Sequence, residues 1–331
     1  MSLDRPDEEK WLEWRRGGIT ATEVADAANG TYGGAYGVVA RKLGIITVEQ
    51  NSAMQRGHRW QPKIADAVHA LTELVVVGEE TWCESSNDPR WRATVDGFLA
   101  PFDDVVSPDD LSGVIEVKTR GVGVRPNRER WADQMQWQML VTGMPVGLLA
   151  DAVIDDTDDT CVSVHLSELK ADPVRQSLLI SYAENMWGHF QAGTLPEPSD
   201  PSALDDVKAV HPGIDPDAET VDLSDLEQNV ARFVAIKAAV KSVTDEQKLL
   251  EAQIREAIGD AGRGECNGYR VTVSKPRQVM TAELEAQLLV ARPDLGVVVL
   301  DKDRAKNEAK DVYEAHRAAV GARTITVREL S

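Results

Sequence analysis

The chain has 331 residues and a formal net charge of −19 at pH 7, which argues against a protein that coats nucleic acid non-specifically. An enzyme whose basic side chains line only a channel remains compatible with that charge. The three cysteines are far apart, which argues against a disulfide framework, a zinc knuckle or a four-cysteine iron–sulfur site. The charged first residues and the lack of a long apolar run predict a cytoplasmic protein without a signal peptide or membrane span.

The first 30 residues predict two short helices. The second (TATEVADAANG) has Thr20 or Thr22 as its N-cap and ends at Gly30. The glycines of TYGGAYG predict a flexible segment whose backbone N–H groups can approach a ligand, before a short helix in GVVARKLG. Apolar residues at three- and four-residue spacing then predict an amphipathic helix over residues 50–73.

The middle of the chain alternates strand and helix patterns. Strands are predicted over residues 74–82, 91–101, 113–119, 145–154 and 161–166. Helices are predicted over residues 131–142 and 172–191. This order predicts a mixed α/β fold in which helices flank a central mixed sheet.

The composition changes after the last of these helices. Residues 194–224 are rich in Pro, Asp and Ser, which is typical of a linker or a loosely ordered segment. Apolar positions over residues 226–258 predict a helix of about 50 Å, a candidate coiled-coil arm whose seam Lys237 and Gln247 interrupt. A short strand and a small α/β tail are expected after it. The predicted domains are a core (residues 1–195), a linker (196–224) and a helical arm with its tail (225–331).

The candidate chemical centre lies within residues 90–119. Asp96 ends one apolar run, and Glu116 and Lys118 lie two residues apart in the next, so their side chains share one face of a strand. Two carboxylates suit Mg²⁺ or Mn²⁺, and the carbonyl of Val117 is a candidate third oxygen ligand. Lys118 is expected to orient the attacking water or to stabilise charge on a phosphate. The pattern favours metal-assisted hydrolysis of a phosphodiester over the alternative, a solvated strand face.

Four motifs occur in this order along the chain, at ordinary spacings: RGHRWQPKIADAV, ATVDGFL, GVIEVKT and WADQMQWQMLVTG. With the earlier GGITATEVADAANGTYG, they resemble the YqaJ-type viral recombinases and lambda-exonuclease-like nucleases of the PD-(D/E)XK superfamily, over about residues 14–190. The resemblance implies a restriction-endonuclease-like core and a metal-dependent exonuclease that digests linear duplex DNA from its ends, 5′→3′, in phage-type recombination. It also implies a single-strand annealing protein as partner and a homotrimer as one possible assembly.

Residue by residue, the resemblance gives Asp96 and Glu116 as the metal-binding acids and Lys118 as the catalytic lysine. It adds Gln134 as a further catalytic residue and Gln138 as a DNA contact, both within the glutamine-rich helix motif QMQWQM. Residues four apart share a helix face, so both side chains are expected to reach towards the site. Gln136, between them, is expected to point elsewhere.

One position departs from the family motif RGxxxE, whose Glu approaches the metal. The matching residue here is Gln61, in RGHRWQ. An amide oxygen can ligate a cation or hold a water, so Gln61 is a candidate for a second metal or water position, without a negative charge. The alternative function is a weakly active or inactive nuclease fold that serves as a DNA- or protein-binding module.

Arginines crowd the segment TRGVGVRPNRERW that follows Lys118. They are candidate DNA-binding residues, because arginines near an active strand suit contact with phosphates. The alternative is a solubilising loop. The four candidates are Arg120, Arg125, Arg128 and Arg130. A third class of function, an interaction protein built around the long helix, depends on residues 226–258.

Overall fold

The computed structural model describes residues 8–47, 52–101, 107–213 and 217–273. The chain forms two compact units, Met1–Pro212 and Gly213–Ser331. In the described part of the first unit, the helices are α1 (Glu8–Arg16), α2 (Ala21–Asn29), α3 (Gly34–Lys42), α4 (Ser52–Thr72), α5 (Arg128–Thr142), α6 (Pro173–Ala192) and α7 (Ala203–Val210). The strands are β1 (Ile19–Thr20), β2 (Val75–Val77), β3 (Thr81–Glu84), β4 (Trp91–Val95), β5 (Gly97–Ala100), β6 (Gly113–Gly121), β7 (Val146–Asp155) and β8 (Thr160–Lys170).

The central sheet of the first unit has five strands in the order β2-β5-β6-β7-β8. Strands β6 and β7 are parallel, and the other neighbours are antiparallel. A second sheet has the order β1-β4-β3, in which β1 and β4 are parallel. The predicted mixed α/β fold with a central mixed sheet is therefore confirmed.

Helices cover both faces of the central sheet. On one face, Trp60, Ile64 and Val68 of α4 pack against apolar residues of β5, β6 and β7, among them Ile115. On the other face, Val114 belongs to the cluster that includes residues of α2, α5 and α6. Because strand side chains alternate between faces, the side chains of β6 at even-numbered positions point towards α5.

The predicted helices of the first 73 residues are present, with one difference. Thr20 is the N-cap of α2 and forms a capping box with Glu23, and Gly30 ends the helix in the left-handed region (φ 58°). The segment TYGGAYG, predicted to be flexible, instead contributes the first turn of α3. The N–H of Gly33 donates to Ser202 Oγ at 2.9 Å, so this backbone group is used within the protein.

Two of the five predicted strand runs are each divided between the two sheets. Residues 74–82 form β2 and the start of β3, and the turn between them contains Gly78 and Glu80, both with positive φ. Residues 91–101 form β4 and β5, which meet at Asp96. Each run looks continuous in sequence because both of its halves are apolar, although each half pairs with a different sheet.

The segment predicted to be a linker contains a helix, α7, in place of irregular chain. Ala203 is buried, and Asp206 forms an ion pair with Arg41 of α3 at 3.4 Å. Pro and Asp at the start of this segment favour a turn, and Ser202 becomes the N-cap of the short helix after it.

The described part of the second unit contains a long helix and a hairpin. Helix α8 (Glu227–Ile258) has 32 residues, about 48 Å at the usual rise, which confirms the predicted long helix. Strands β9 (Arg263–Cys266) and β10 (Tyr269–Thr272) form an antiparallel pair, of which only the second was expected. The tail predicted after it lies outside the described residues. Among the helices described in both units, none has the length and apolarity that a membrane span requires.

Candidate active site

Asp96 lies between β4 and β5, where the chain leaves the three-stranded sheet and enters the central one. The next residue must be small, since a Cβ at Gly97 would lie 2.5 Å from Val76 Cγ1. Gly97 pairs with Ile115 of β6. The Asp-Gly sequence therefore allows close packing of β2, β5 and β6, and it places the Asp96 carboxylate at the start of β5.

The backbone of β6 holds that carboxylate. The N–H of Val117 donates to Asp96 Oδ2 at 2.7 Å. In a β-strand the N–H and the C=O of one residue point to the same side. The Val117 carbonyl therefore also faces the side of Asp96, beyond the point where β5 begins.

Glu116 is the centre of a buried polar cluster on the α5 face of the sheet, and only 3% of it is exposed. Lys118 Nζ lies 2.5 Å from Glu116 Oε1, and Gln134 Nε2 donates to the same oxygen at 2.6 Å. Gln138 Nε2 donates to Glu116 Oε2 at 2.5 Å and to the carbonyl of Thr94 at 3.3 Å. Two glutamines, one helical turn apart, and one lysine therefore fix the carboxylate.

The two acids influence each other electrostatically. Burial, and then the negative charges of Glu116 and Glu80, raise the pKa of Asp96 to about 8. The positive charge of Lys118 and the hydrogen bond from Val117 act in the opposite direction without cancelling the rise. A cation beside Asp96 would favour the charged form of this acid.

The residues present fit a hard divalent cation. Asp96 and Glu116 supply carboxylate oxygens, and the carbonyl of Val117 supplies a third oxygen, in line with the preference of Mg²⁺ for one or two carboxylates. Gln134 Oε1 and Gln138 Oε1 are buried and have no hydrogen-bond partner among the described residues, so further oxygen atoms lie close to Glu116. The described ranges contain no cluster of three or more His, Cys, Asp and Glu side chains suited to a metal. A cation here would therefore be held by two acids and neutral oxygens.

Gln61 of α4 is also at this site. Its Nε2 donates to Asp96 Oδ1 at 3.4 Å, a long hydrogen bond. Gln61 therefore lies beside Asp96, one of the two candidate metal-binding acids, and the side chain that approaches this acid is a neutral amide.

The α5 glutamines differ in their surroundings. Gln136 bonds to the carbonyl of Lys170 and the N–H of Asp172, so it points away from Glu116 as expected. Gln138 is fully buried (0% exposed) and leaves no surface for a DNA strand. The prediction of Gln138 as a DNA contact is corrected accordingly: its side chain positions Glu116.

The four candidate DNA-binding arginines fall into two pairs. Arg120 Nε donates to Asp151 Oδ1 at 2.8 Å, and Arg130 Nε donates to Asp26 Oδ1 at 2.6 Å. Arg125 and Arg128 are exposed, and neither side chain has an acidic partner in the part of the chain that the structure describes. The second pair presents free positive charge to solvent, whereas the first is engaged with acids of the protein.

Asp151 is a residue at this site that sequence reasoning missed. It lies on β7 directly opposite Lys118 in the parallel register and is only 5% exposed. Its Oδ1 accepts from Arg120, whereas its Oδ2 has no partner among the described residues. A lone Asp in an apolar run was the available signal, but its position beside Lys118 depends on strand pairing.

Comparison with known proteins points to one family. Residues 10–145 match the family described as the YqaJ-like viral recombinase domain. Comparison with curated proteins gives no significant match. The matched residues include Asp96, Glu116 and Lys118, together with Gln134 and Gln138.

Solved structures give distant likenesses. An alkaline exonuclease (LHK-Exo) from Laribacter hongkongensis is 23% identical, with a TM-score of 0.43, and the match covers 56% of this chain and 93% of that one. A phage related exonuclease from Haemophilus somnus 129PT is 11% identical, with a TM-score of 0.40, and the match covers 53% and 96%. Residues 10–145, within the amino-terminal unit, are therefore similar to the YqaJ-like viral recombinase domain.

Proposed function

We propose that the amino-terminal unit is a Mg²⁺- or Mn²⁺-dependent exonuclease that hydrolyses phosphodiester bonds of linear duplex DNA. The observation that carries the proposal is the convergence of Asp96, Glu116 and Lys118 around the backbone of Val117. The YqaJ-like domain supports it, since the convergent residues lie within the matched range. The 5′→3′ polarity, the annealing protein as partner and the trimeric assembly are carried over from the resemblance of the motifs.

Each side chain has a distinct role in the proposal. Asp96, Glu116 and the Val117 carbonyl would hold the cation, which would supply charge stabilisation for the phosphate and acidify the attacking water. Lys118, held against Glu116, presents its remaining N–H donors to a phosphate oxygen or to the attacking water. Gln134 and Gln138 keep the Glu116 carboxylate in one orientation.

The first experiment compares digestion of linear duplex DNA by the wild type, Lys118→Ala and Lys208→Ala, with Mg²⁺ or Mn²⁺. Lys208 is a matched control, because it lies on α7 and its one acidic partner among the described residues is Asp205. We expect Lys118→Ala to lower the rate by about 100-fold or more and Lys208→Ala to leave it unchanged. Absence of digestion by the wild type with either metal would refute the enzyme proposal.

A second experiment tests polarity. Duplexes with exonuclease-resistant linkages at only the 5′ ends or only the 3′ ends are digested in parallel. The 5′→3′ assignment predicts protection by the 5′ block and not by the 3′ block. The reverse pattern would leave a nuclease of opposite polarity.

A second candidate function rests on Gln61. A neutral amide approaches Asp96 where the family motif has a Glu, so the fold can serve as a weakly active or inactive module that binds DNA or protein. Gln61→Glu distinguishes the two candidates. Activity that appears only in this variant supports the binding module, whereas activity already present in the wild type supports the enzyme.

A further inference from the structure

Helix α8 carries a coiled-coil repeat with one polar core position. Six of its large apolar residues occupy the two core positions of a heptad, which follow each other in alternating steps of three and four residues. They are Phe233, Ile236, Val240, Val243, Leu250 and Ile254. Gln247 occupies the core position between Val243 and Leu250, and Ala257 the one after Ile254. The seam includes Ile236 and excludes Lys237, which lies beside it.

This seam is open to solvent. Its six large apolar side chains are 40–64% exposed, and no residue of α8 is buried. Val243, Leu250 and Ile254 also form one wall of a groove of about 610 Å³, whose other wall contains Val271 and Val273. A helix of this length with a regular apolar seam is stabilised chiefly by packing against another helix.

The charges beside the seam favour one arrangement of two copies. In a parallel pair, Arg232 would face the partner's Lys237, and Glu246 would face the partner's Glu251. Symmetry doubles each contact, so a parallel pair contains four like-charge contacts. In an antiparallel pair centred near residue 245, Lys237 faces the partner's Glu251 twice, and one like-charge contact remains, between Glu246 and the partner's Glu246.

The two halves of α8 are complementary in the same sense. Residues 227–242 contain three basic residues and one acidic residue, and residues 243–258 contain two basic and four acidic residues. The antiparallel arrangement places the positive half of one helix against the negative half of the other. It also places Phe233, the largest seam residue, opposite the partner's Ala257.

We propose that the α8 seam is an interface between two copies of this chain, which pair as an antiparallel two-stranded coiled coil. The seam of one copy enters the groove beside Val271 of the other. The pairing is independent of the nuclease proposal and of any contact between amino-terminal units.

The test measures the mass of the full-length chain by sedimentation equilibrium at several concentrations. Lys237→Glu places like charges opposite the partner's Glu251, so we expect the dissociation constant of the pair to rise about tenfold. Lys237→Glu combined with Glu251→Lys restores opposite charges and should restore the affinity. Lys241→Glu is the matched control, since it makes the same charge change away from the seam and should leave the affinity unchanged.

Each other outcome overturns the antiparallel pair. Tighter association of Lys237→Glu would indicate a parallel pair, because the new Glu would face the partner's Arg232. Association that does not respond to Lys237→Glu would place the interface elsewhere in the chain. A full-length wild type that stays monomeric at tens of micromolar would mean that the seam is covered within its own chain. Val240→Glu, which introduces a charge into the seam, should abolish the association that Lys237→Glu weakens.

Discussion

Asp96 and Val117 are joined by a hydrogen bond of 2.7 Å, from the backbone N–H of Val117 to Asp96 Oδ2. Val117 separates Glu116 from Lys118 on β6. The position of one acid is therefore fixed by the backbone of the strand that carries the other acid and the lysine. The spacing of the site consequently depends on the pairing of β5 with β6 more than on side-chain flexibility.

The raised pKa of Asp96 predicts how the stability of the cation-free protein depends on pH. The folded-state pKa of about 8 exceeds the ordinary value of 3.8, so between these values the folded state holds a proton that the unfolded state has lost. This contribution to stability is fully present below about pH 4 and is lost as the pH rises through 8. Asp96→Asn should remove that loss, so its free energy of unfolding should increasingly exceed that of the wild type from pH 4 to pH 8, by about 5 kcal/mol at most.

Urea unfolding with a chelator, between pH 4 and 9, measures this difference. Asp158→Asn is the control, because Asp158 is exposed and should keep the wild-type profile. A wild-type stability that increases across this window, with Asp96→Asn parallel to it, would contradict the prediction.

Cation binding should become tighter as the pH rises, because a divalent ion binds the charged form of Asp96. We expect Mg²⁺ to raise the melting temperature of the wild type more at pH 8.5 than at pH 6, and to leave that of Asp96→Asn nearly unchanged. Removal of Mg²⁺ with a chelator should reverse the increase. An equal increase at both pH values would indicate a cation site without Asp96.

Gln138 and Gln136 form a matched pair on α5. Gln138→Ala leaves Glu116 Oε2 without its donor and opens a cavity, and Gln136→Ala removes a comparable buried amide that bonds to Lys170. Each should lower the free energy of unfolding by about 2 kcal/mol. Only Gln138→Ala should also weaken Mg²⁺ binding, measured by calorimetry. If both variants lost Mg²⁺ affinity equally, the loss would come from a general packing defect and not from the contact between Gln138 and Glu116.

The arginines after Lys118 should separate into two phenotypes. Arg125→Ala and Arg128→Ala should leave the melting temperature unchanged and weaken duplex binding, each reducing the slope of log affinity against log salt by about 0.9. Arg120→Ala should instead destabilise the protein by on the order of 2 kcal/mol, because Asp151 would stay buried without the arginine that pairs with it. Filter binding without divalent cations, across salt concentrations, measures the slopes. Unchanged slopes for Arg125→Ala and Arg128→Ala would favour a solubilising loop.

Sequence periodicity was sufficient wherever the relevant contacts are local. The period of two placed Glu116 and Lys118 on one strand face, and the four-residue spacing brought Gln134 and Gln138 to the same acid. These relationships depend on one strand and one helix, so they can be read from adjacent residues.

Relationships that depend on pairing between distant strands could not be read in this way. Residues 91–101 are divided at Asp96 because β4 pairs with β3 in one sheet and β5 pairs with β6 in the other. The apolar pattern of these residues does not indicate which strands they pair with. The position of Asp151 beside Lys118 likewise requires the parallel register of β6 and β7. Helix α7 was not predicted because its segment is polar in composition, whereas the helix contacts the distant α3.

The division of one strand run between two sheets has a consequence for folding. A partly folded chain that has formed only the central sheet would hold Glu116, Lys118 and the β5 side of Asp96 in place, while β4, which precedes Asp96, was still unformed. A cation bound by both acids would favour the state in which both flanks of Asp96 are ordered, and its binding energy would be added to the stability of both sheets. Cation binding would thus favour complete assembly of the amino-terminal unit.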